Sequence, residues 1–259
     1  MKSAHTPRQR LHLVLLCLLA VCLFGLVLVY LSGWQDVRRQ QQLAEAVAPS
    51  PAATTEPSAA PSASPQPYVS PVDFAGLQAE NPDAYAWLRI EGAEVDTPVL
   101  QNAQETDYYL DHTFEKKKGL PGAVYSRNDT PQDFEAPCTV LYGHNMKSGS
   151  MFGNLRHYRS ADFFNDPANR TIQIFTPEKE LTYKIFAAVE YGNLLLTHLY
   201  DFTDPKEKAD FIASLQDGLV DSTVPLDENS QLLVLSTCAP PSHGDRRYLV
   251  VGVLAHEKA

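Results

Sequence analysis

The chain has 259 residues and a formal net charge of −10, and 44% of its residues are hydrophobic. This length allows one or two domains, and the hydrophobic content is sufficient for a packed core. An acidic chain with no basic block in its C-terminal part is not expected to have nucleic acid as its partner.

The first predicted element is an apolar segment near the N-terminus. Residues 11–33 contain no Asp, Glu, Lys or Arg and are almost wholly apolar. Because about 20 helical residues cross the hydrocarbon core of a bilayer, this segment is predicted to be a transmembrane anchor. Basic residues precede it and place residues 1–10 in the cytoplasm by the positive-inside rule, although two arginines also follow it. The preceding residues are Lys2, Arg8 and Arg10, and the following ones are Arg38 and Arg39.

A cleaved signal peptide is the alternative for this segment. The apolar run is long for a signal peptide, and the small residues that would suit cleavage, Ala44, Ala46 and Ala48, lie well past its end. In both cases the bulk of the chain is expected outside the cytoplasm.

The next segment differs in composition. Residues 34–71 include the stretch "VAPSPAATTEPSAAPSASPQPYVSP", which is rich in Pro, Ala and Ser. Such a stretch buries too little apolar surface to fold, and its prolines keep it extended. It is therefore predicted to be a stalk, followed by a globular domain at residues 72–259.

Short strands dominate the predicted domain, so the expected fold is mainly β, a barrel or sandwich with added helices. The region from Val72 to Ile90 looks helical, with a break at Asn81-Pro82. The apolar spacing of Met151, Leu155 and Tyr158 predicts a second helix, and Asp204-Pro205 predicts the start of a third. The predicted strands are residues 97–101, 122–126, 139–142, 171–175, 181–189, 232–237 and 248–254.

The last two predicted strands carry candidate chemistry. Cys238 ends one strand and Arg247 begins the next, with a short loop between them. Such a loop usually joins antiparallel neighbours, so the thiol and the guanidinium are expected at the same rim of the sheet. A neighbouring cation favours the thiolate, and a guanidinium also suits a developing oxyanion. The alternative is that Arg247 only covers the edge of the sheet.

A cysteine nucleophile also needs a proton donor for its leaving group. Two histidines are candidates. His243 lies in the loop between Cys238 and Arg247, and His144 follows the predicted strand "CTVLY". The strand end favours His144 because it positions a side chain more rigidly than a loop does, but these residues alone leave the choice open.

The remaining cysteine of the domain is Cys138. A disulfide between Cys138 and Cys238 is possible in an oxidising compartment, but Cys138 is expected to be a buried free thiol. The histidines are not paired at metal-ligand spacing and no Cys-x-x-Cys motif occurs, so no metal or other cofactor is predicted.

Two motifs resemble the sortases: "YGHNM", and "LSTC" followed by an arginine that begins an apolar strand. Four stretches in order resemble class B sortases in particular: "NPDAYAWLRIEGAEVDTPVLQ", "TDYYLDHTF", "LYGHNMKSGSMFGNLRHY" and "ADFF". The resemblance covers about residues 81–254. It implies an eight-stranded β-barrel with an N-terminal helical part and a helix before the penultimate strand, for which residues 205–215 are well placed.

The resemblance also implies the roles of particular residues. It makes Cys238 the nucleophile, His144 rather than His243 the proton donor, and Arg247 rather than Arg246 the oxyanion group. The residues that it implies for substrate binding are Ser236, Thr237, Tyr142, Asn145 and Asn128. One departure is Tyr200, which stands where the family often has threonine.

The implied activity is a two-step transpeptidation by a membrane-anchored enzyme whose catalytic domain faces the cell wall. The thiolate cleaves a sorting signal near the C-terminus of a surface protein and forms a thioester. An amine then resolves the thioester, either from a peptidoglycan precursor or cross-bridge or from a pilin lysine.

Three alternatives remain. In papain-like and NlpC-like hydrolases the cysteine precedes the histidine, whereas here the order is reversed. L,D-transpeptidases place His-Gly just before the cysteine, whereas "SHG" follows Cys238 here. A catalytically silent adhesion or scaffold module would require either a Cys138–Cys238 disulfide or a degenerate site.

Overall fold

The computed structural model describes residues 68–238 and 246–259, and of Cys238 it describes the backbone. The predicted anchor, most of the stalk and His243 lie outside these residues. Within the described ranges, no helix is long and apolar enough to cross a membrane.

Nine strands form one sheet in the described part of the chain. They are β1 (Ala84–Ile90), β2 (Val95–Leu100), β3 (Val124–Tyr125), β4 (Cys138–Tyr142), β5 (Thr171–Phe175), β6 (Glu180–Tyr191), β7 (Leu219–Val220), β8 (Leu232–Cys238) and β9 (Arg247–Lys258). Their order is β5-β1-β2-β3-β4-β8-β9-β6-β7, and β5 also pairs with β6. The sheet therefore closes into the expected eight-stranded barrel, and β7 is added beside β6.

The described α-helices are short; the first precedes β1, and the others lie between strands. They are α1 (Phe74–Glu80), α2 (Ala161–Asn165), α3 (Leu196–Leu199) and α4 (Pro205–Ser214). The longest, α4, begins as the Asp-Pro motif predicts: the Asp204 carboxylate accepts from the Lys206 backbone N–H, and Pro205 occupies the first turn. It lies before the penultimate strand, where the family resemblance places a helix.

The barrel interior holds the main hydrophobic cluster. Leu88, Ile90, Leu235 and Val250 are fully buried in it. Each fully buried aliphatic side chain of this kind contributes about 1.5–3 kcal/mol through the hydrophobic effect. The strands that bear the candidate catalytic groups thus stand on a rigid core.

Two sequence-based element predictions were wrong. Residues 84–90 form β1 rather than a continuation of the helix, because this strand is buried on both faces and shows no alternation of polar residues. The predicted α-helix from Met151 is instead a 3-10 helix, Gly153–Arg159, while Met151 pairs with Asn145 in an isolated bridge. Leu155 and Tyr158 are nevertheless fully buried, as their spacing predicts.

Asn81, at the end of α1, forms hydrogen bonds both to the segment just before β1 and to the loop between β2 and β3. It is fully buried, and its amide nitrogen donates to Tyr109 Oη at 2.9 Å and to the Phe114 carbonyl at 2.8 Å. Its side-chain oxygen accepts from the Asp83 backbone N–H at 3.0 Å. A single buried amide therefore holds the segment around Tyr109 against the barrel.

Replacing Asn81 by alanine is expected to destabilise the protein by about 3 kcal/mol, because two buried hydrogen bonds and one partly buried hydrogen bond are lost together. For a domain of this size the melting temperature should fall by about 6–12 °C, measured by thermal unfolding. The exposed Asn229 is the matched control, and Asn229→Ala should change the melting temperature little. Equal melting temperatures for the two variants would contradict this role of Asn81.

Candidate active site

The candidate nucleophile and the candidate oxyanion group are direct neighbours across two antiparallel strands. In the β8–β9 register, Cys238 is paired with Arg247. This is the arrangement that the short loop between the two strands predicts. Arg247 is also the cross-strand partner of Tyr191 on β6, so its backbone is fixed on both sides.

The parallel pairing of β4 with β8 brings His144 to the same rim. Tyr142 is paired with Ser236 in this register. His144 lies two residues beyond Tyr142, and Cys238 lies two residues beyond Ser236, so both leave the sheet at the same edge. The Gly143 backbone N–H donates to the Ser236 carbonyl at 3.2 Å and continues the pairing past the end of β4.

A cleft of about 140 Å³ opens at this rim. Four of the site residues that the resemblance implied for catalysis or binding line it: Tyr142, His144, Ser236 and Arg247. The other lining residues are Asp107, Leu110, Tyr125, Arg127, Gly143 and Leu195.

The imidazole of His144 is oriented by a backbone group. His144 Nε2 lies 2.6 Å from the Leu110 carbonyl oxygen. Because a carbonyl oxygen only accepts, Nε2 must carry the proton of this hydrogen bond. The neutral ring then leaves Nδ1 as the nitrogen that can accept a proton, and this assignment follows from the hydrogen bond.

The Leu110 carbonyl is itself held in place by close backbone packing. Leu110 ends a 3-10 turn, Tyr108–Leu110, in the β2–β3 connection. Gly122 passes over this turn with φ +67°, and a Cβ atom there would lie 2.7 Å from the Leu110 oxygen. Only glycine allows both this φ and this approach, so Gly122 is required for the turn that orients His144.

An ion pair braces the start of the same turn. Arg127 Nη1 donates to both carboxylate oxygens of Asp107, at 3.2 and 3.1 Å, and Tyr125 Oη donates to Asp107 at 3.2 Å. Burial and the Asp107 charge raise the pKa of Tyr125 and keep it a neutral donor. This network and the Leu110 carbonyl were not predicted as site residues. Asp107 and Leu110 lie in the stretch "TDYYLDHTF" that carries the resemblance, but a backbone carbonyl gives no side-chain signal in a sequence.

Tyr142 has a hydroxyl that the described residues leave without a hydrogen-bond partner. Tyr142 is 8% exposed, and its ring is tilted by 31° to the Tyr125 ring, with centroids 5.6 Å apart. Burial raises the pKa of Tyr142 to about 12, against the opposing effects of Arg127 and Arg247. A buried donor at the wall of the cleft is available to a bound acceptor.

Replacing Tyr142 by phenylalanine is therefore expected to separate activity from stability. Removal of an unpartnered buried hydroxyl should leave the free energy of unfolding unchanged or raise it by up to about 1 kcal/mol. Loss of a hydrogen bond to substrate should lower kcat/KM about tenfold. Denaturant unfolding and cleavage kinetics on one preparation measure both. Unchanged kinetics would show that the hydroxyl does not contact substrate.

The other predicted binding residues lie outside the cleft lining. Thr237 is buried next to Ser236 on the strand, Asn145 lies in the bridge to Met151, and Asn128 is exposed and accepts from Thr106 Oγ1 at 2.9 Å. Their contact with substrate stays a prediction. Tyr200 also lies outside the lining: its hydroxyl is 2.8 Å from Tyr191 Oη.

The two arginines at the start of β9 point to different surroundings. Arg247 lines the cleft, whereas Arg246 is exposed and donates from Nη2 to the Glu190 backbone carbonyl at 3.3 Å. Of the two, only Arg247 lines the cleft, and its catalytic role stays a prediction.

The strand register also bears on the disulfide alternative. Cys138 is paired with Leu232, six residues before Cys238 on the same strand. At about 3.3 Å per residue this separates the two cysteines by roughly 20 Å, whereas a disulfide needs Cα atoms within about 7 Å. Cys138 is a buried free cysteine, as predicted. The fold is therefore incompatible with a Cys138–Cys238 disulfide, one of the two conditions for a catalytically silent module.

Comparison with known proteins identifies the family to which this chain is similar. Residues 88–255 match the family model for the sortase domain. Sortase B of Listeria monocytogenes is 30% identical over 176 residues, which cover 68% of this chain and 70% of that protein. Sortase B of Staphylococcus aureus is 25% identical over 193 residues, which cover 72% and 75% respectively.

Solved structures with similar folds include other class B sortases. Clostridium perfringens sortase B gives a TM-score of 0.63 at 26% identity and covers 70% of this chain and 99% of its own. A Streptococcus pyogenes class B sortase involved in pilus biogenesis gives 0.60 at 27% identity, with 71% and 98% covered. The residues that match the family model include His144, Cys238 and Arg247.

Proposed function

Because this chain belongs to the sortase family of cysteine transpeptidases, with class B sortases as its relatives, we propose that it cleaves a sorting signal of surface proteins and transfers them to an amine. The observation that carries this proposal is the convergence at one rim: Cys238 pairs with Arg247, and Arg247 shares a cleft with His144.

In the first step, the Cys238 thiolate attacks the carbonyl carbon of the scissile peptide bond. The negative charge that develops on the carbonyl oxygen is stabilised by the Arg247 guanidinium, whose fixed fork of donors suits an oxyanion. As the C–N bond breaks, imidazolium His144 donates a proton to the leaving amine. The products are a thioester on Cys238, a free C-terminal fragment and neutral His144.

In the second step, an amine attacks the thioester carbon. Neutral His144 takes the proton that the attacking nitrogen loses, the C–S bond breaks, and the thiolate and imidazolium are restored. The hydrogen bond from Nε2 to Leu110 supports Nδ1 as the nitrogen that exchanges this proton in both steps. The amine belongs to a peptidoglycan precursor or cross-bridge, or to a pilin lysine.

The proposed location is the cell membrane. Residues 11–33 would span it once with the N-terminus in the cytoplasm, residues 34–71 would form a stalk, and residues 72–259 would face the cell wall. The apolar N-terminal segment and the Pro-rich stretch after it support this arrangement. Protease protection of the N-terminus but not of the barrel in intact cells is the expected result.

The activity is tested with the full-length chain in detergent micelles, a library of pentapeptide sorting signals and several amine acceptors. Intact-mass measurement should detect a thioester adduct with at least one signal, and the matching amine should release it as a new amide. Failure of every signal to form an adduct, with the protein folded by circular dichroism, would refute the proposed function.

A further inference from the structure

Arg159 lies at the end of the 3-10 helix that follows the His144 loop, and its side chain reaches the neighbouring strands. Its Nη1 donates to Glu190 Oε1 at 2.6 Å, and its guanidinium lies 4.5 Å from the centroid of the Tyr248 ring. The Arg159 side chain is 28% exposed and the Glu190 side chain 25%. This is a largely buried contact, unlike a solvent-exposed ion pair of small effect.

Both partners of Arg159 stand directly beside Arg247. Glu190 on β6 and Tyr248 on β9 are paired with each other in the sheet, and the next pair along is Tyr191 with Arg247. Arg159 therefore contacts β9 at Tyr248, one residue from Arg247, the candidate oxyanion group on the same strand.

At its other end, the helix of Arg159 is tied to His144. The Phe152 backbone N–H donates to the His144 carbonyl at 3.0 Å, and Asn145 pairs with Met151 in the isolated bridge. The loop is compact, because a Cβ atom at Gly153 would lie 2.2 Å from the Met146 carbonyl oxygen. A shift of the helix relative to β9 would therefore move His144 relative to Arg247.

We propose that Arg159 is a positioning residue for the transpeptidation: it locks the loop that carries His144 onto the strand pair that carries Arg247 and Cys238. This inference rests on the proposed function. A guanidinium suits the role because its planar group can stack on an aromatic ring while it donates to a carboxylate, which an ammonium does less well. Small misplacements of catalytic groups reduce the rate of chemistry far more than they reduce substrate binding.

The test compares Arg159→Met and Arg159→Lys with the unmodified full-length chain in detergent. Single-turnover acylation by a reactive signal peptide gives the acylation rate and the peptide Kd separately, and thermal unfolding is recorded for each protein. Arg159→Met should acylate about tenfold more slowly, with a peptide Kd within about twofold of the unmodified value. Arg159→Lys should recover part of the rate, because it retains the charge near Glu190. Arg156→Met is the matched control on the exposed side of the same helix. Among the described residues, Arg156 makes only long, exposed hydrogen bonds, to the Lys147 carbonyl at 3.4 Å and to Asn154 Oδ1 at 3.5 Å, so its loss should leave the rate close to the unmodified one.

The experiment distinguishes failure of the proposed function from failure of the positioning role of Arg159. If the unmodified chain forms no thioester, the proposed function fails. If it reacts and Arg159→Met reacts equally fast, the positioning role alone is refuted. The role is also refuted if Arg159→Met loses activity only in proportion to its unfolded fraction and regains the full rate at a lower temperature where it is folded.

Discussion

Replacing Cys238 by alanine is expected to abolish thioester formation and peptide cleavage, with residual turnover at least about 10⁴-fold below the unmodified chain. The reason is covalent: without the thiolate there is no nucleophile at the rim where Arg247 and His144 meet. Intact-mass detection of the adduct and chromatography of the cleaved peptide measure the loss. Since the variant removes only one sulfur atom from a strand end, its melting temperature should change little.

The matched control for Cys238→Ala is Cys138→Ala, the same substitution at the other cysteine of the domain. Burial raises the pKa of the Cys138 thiol, so its reactive thiolate is scarce in the folded protein at neutral pH. Cys138→Ala should therefore form the thioester as fast as the unmodified chain, and iodoacetamide should alkylate Cys138 only after unfolding. If Cys138→Ala were inactive and Cys238→Ala active, the nucleophile would have been assigned to the wrong strand.

The strands of this fold could be predicted from the sequence where their ends carry turn residues. Residues 171–175 appear as β5, as expected, because the alternation of apolar residues is a local signal. β1 was missed because it is buried on both faces, and β7 because two residues show no periodicity. The closure of the barrel through β5 and β6 was supplied by the family resemblance, since long-range pairing leaves no local pattern.

The distinction between local sequence signals and long-range pairing also applies to the candidate site. The juxtaposition of Cys238 and Arg247 could be predicted because a short loop joins their strands. The choice of His144 over His243 needed the resemblance, because the parallel pairing of β4 with β8 joins segments about 90 residues apart in the chain. The Leu110 carbonyl and the Arg159 contact could not be predicted, because one is a backbone atom and the other depends on tertiary packing.

Replacing Arg247 by alanine is expected to lower the acylation rate by about 10²–10³-fold, the usual effect of removing one oxyanion donor. The peptide Kd should change much less, because the oxyanion exists only as the carbonyl is attacked. Single-turnover acylation under the conditions used for the unmodified chain separates the two quantities. Arg247→Lys should remain well below the unmodified rate, because a point charge does not replace the planar fork of donors.

Arg246→Ala is the control that makes the result specific, because the two arginines are adjacent and share charge and composition. Arg246 is exposed and donates to a backbone carbonyl outside the cleft, so its loss should change the acylation rate by less than about twofold. A general effect of positive charge on a peptide substrate would lower the acylation rates of both variants by similar factors. The strand register pairs Arg247, and not Arg246, with Cys238. A much slower acylation by Arg247→Ala than by Arg246→Ala would therefore show that this register determines which guanidinium stabilises the oxyanion. Equal losses in Arg246→Ala and Arg247→Ala would therefore contradict the assignment, even though both variants were less active.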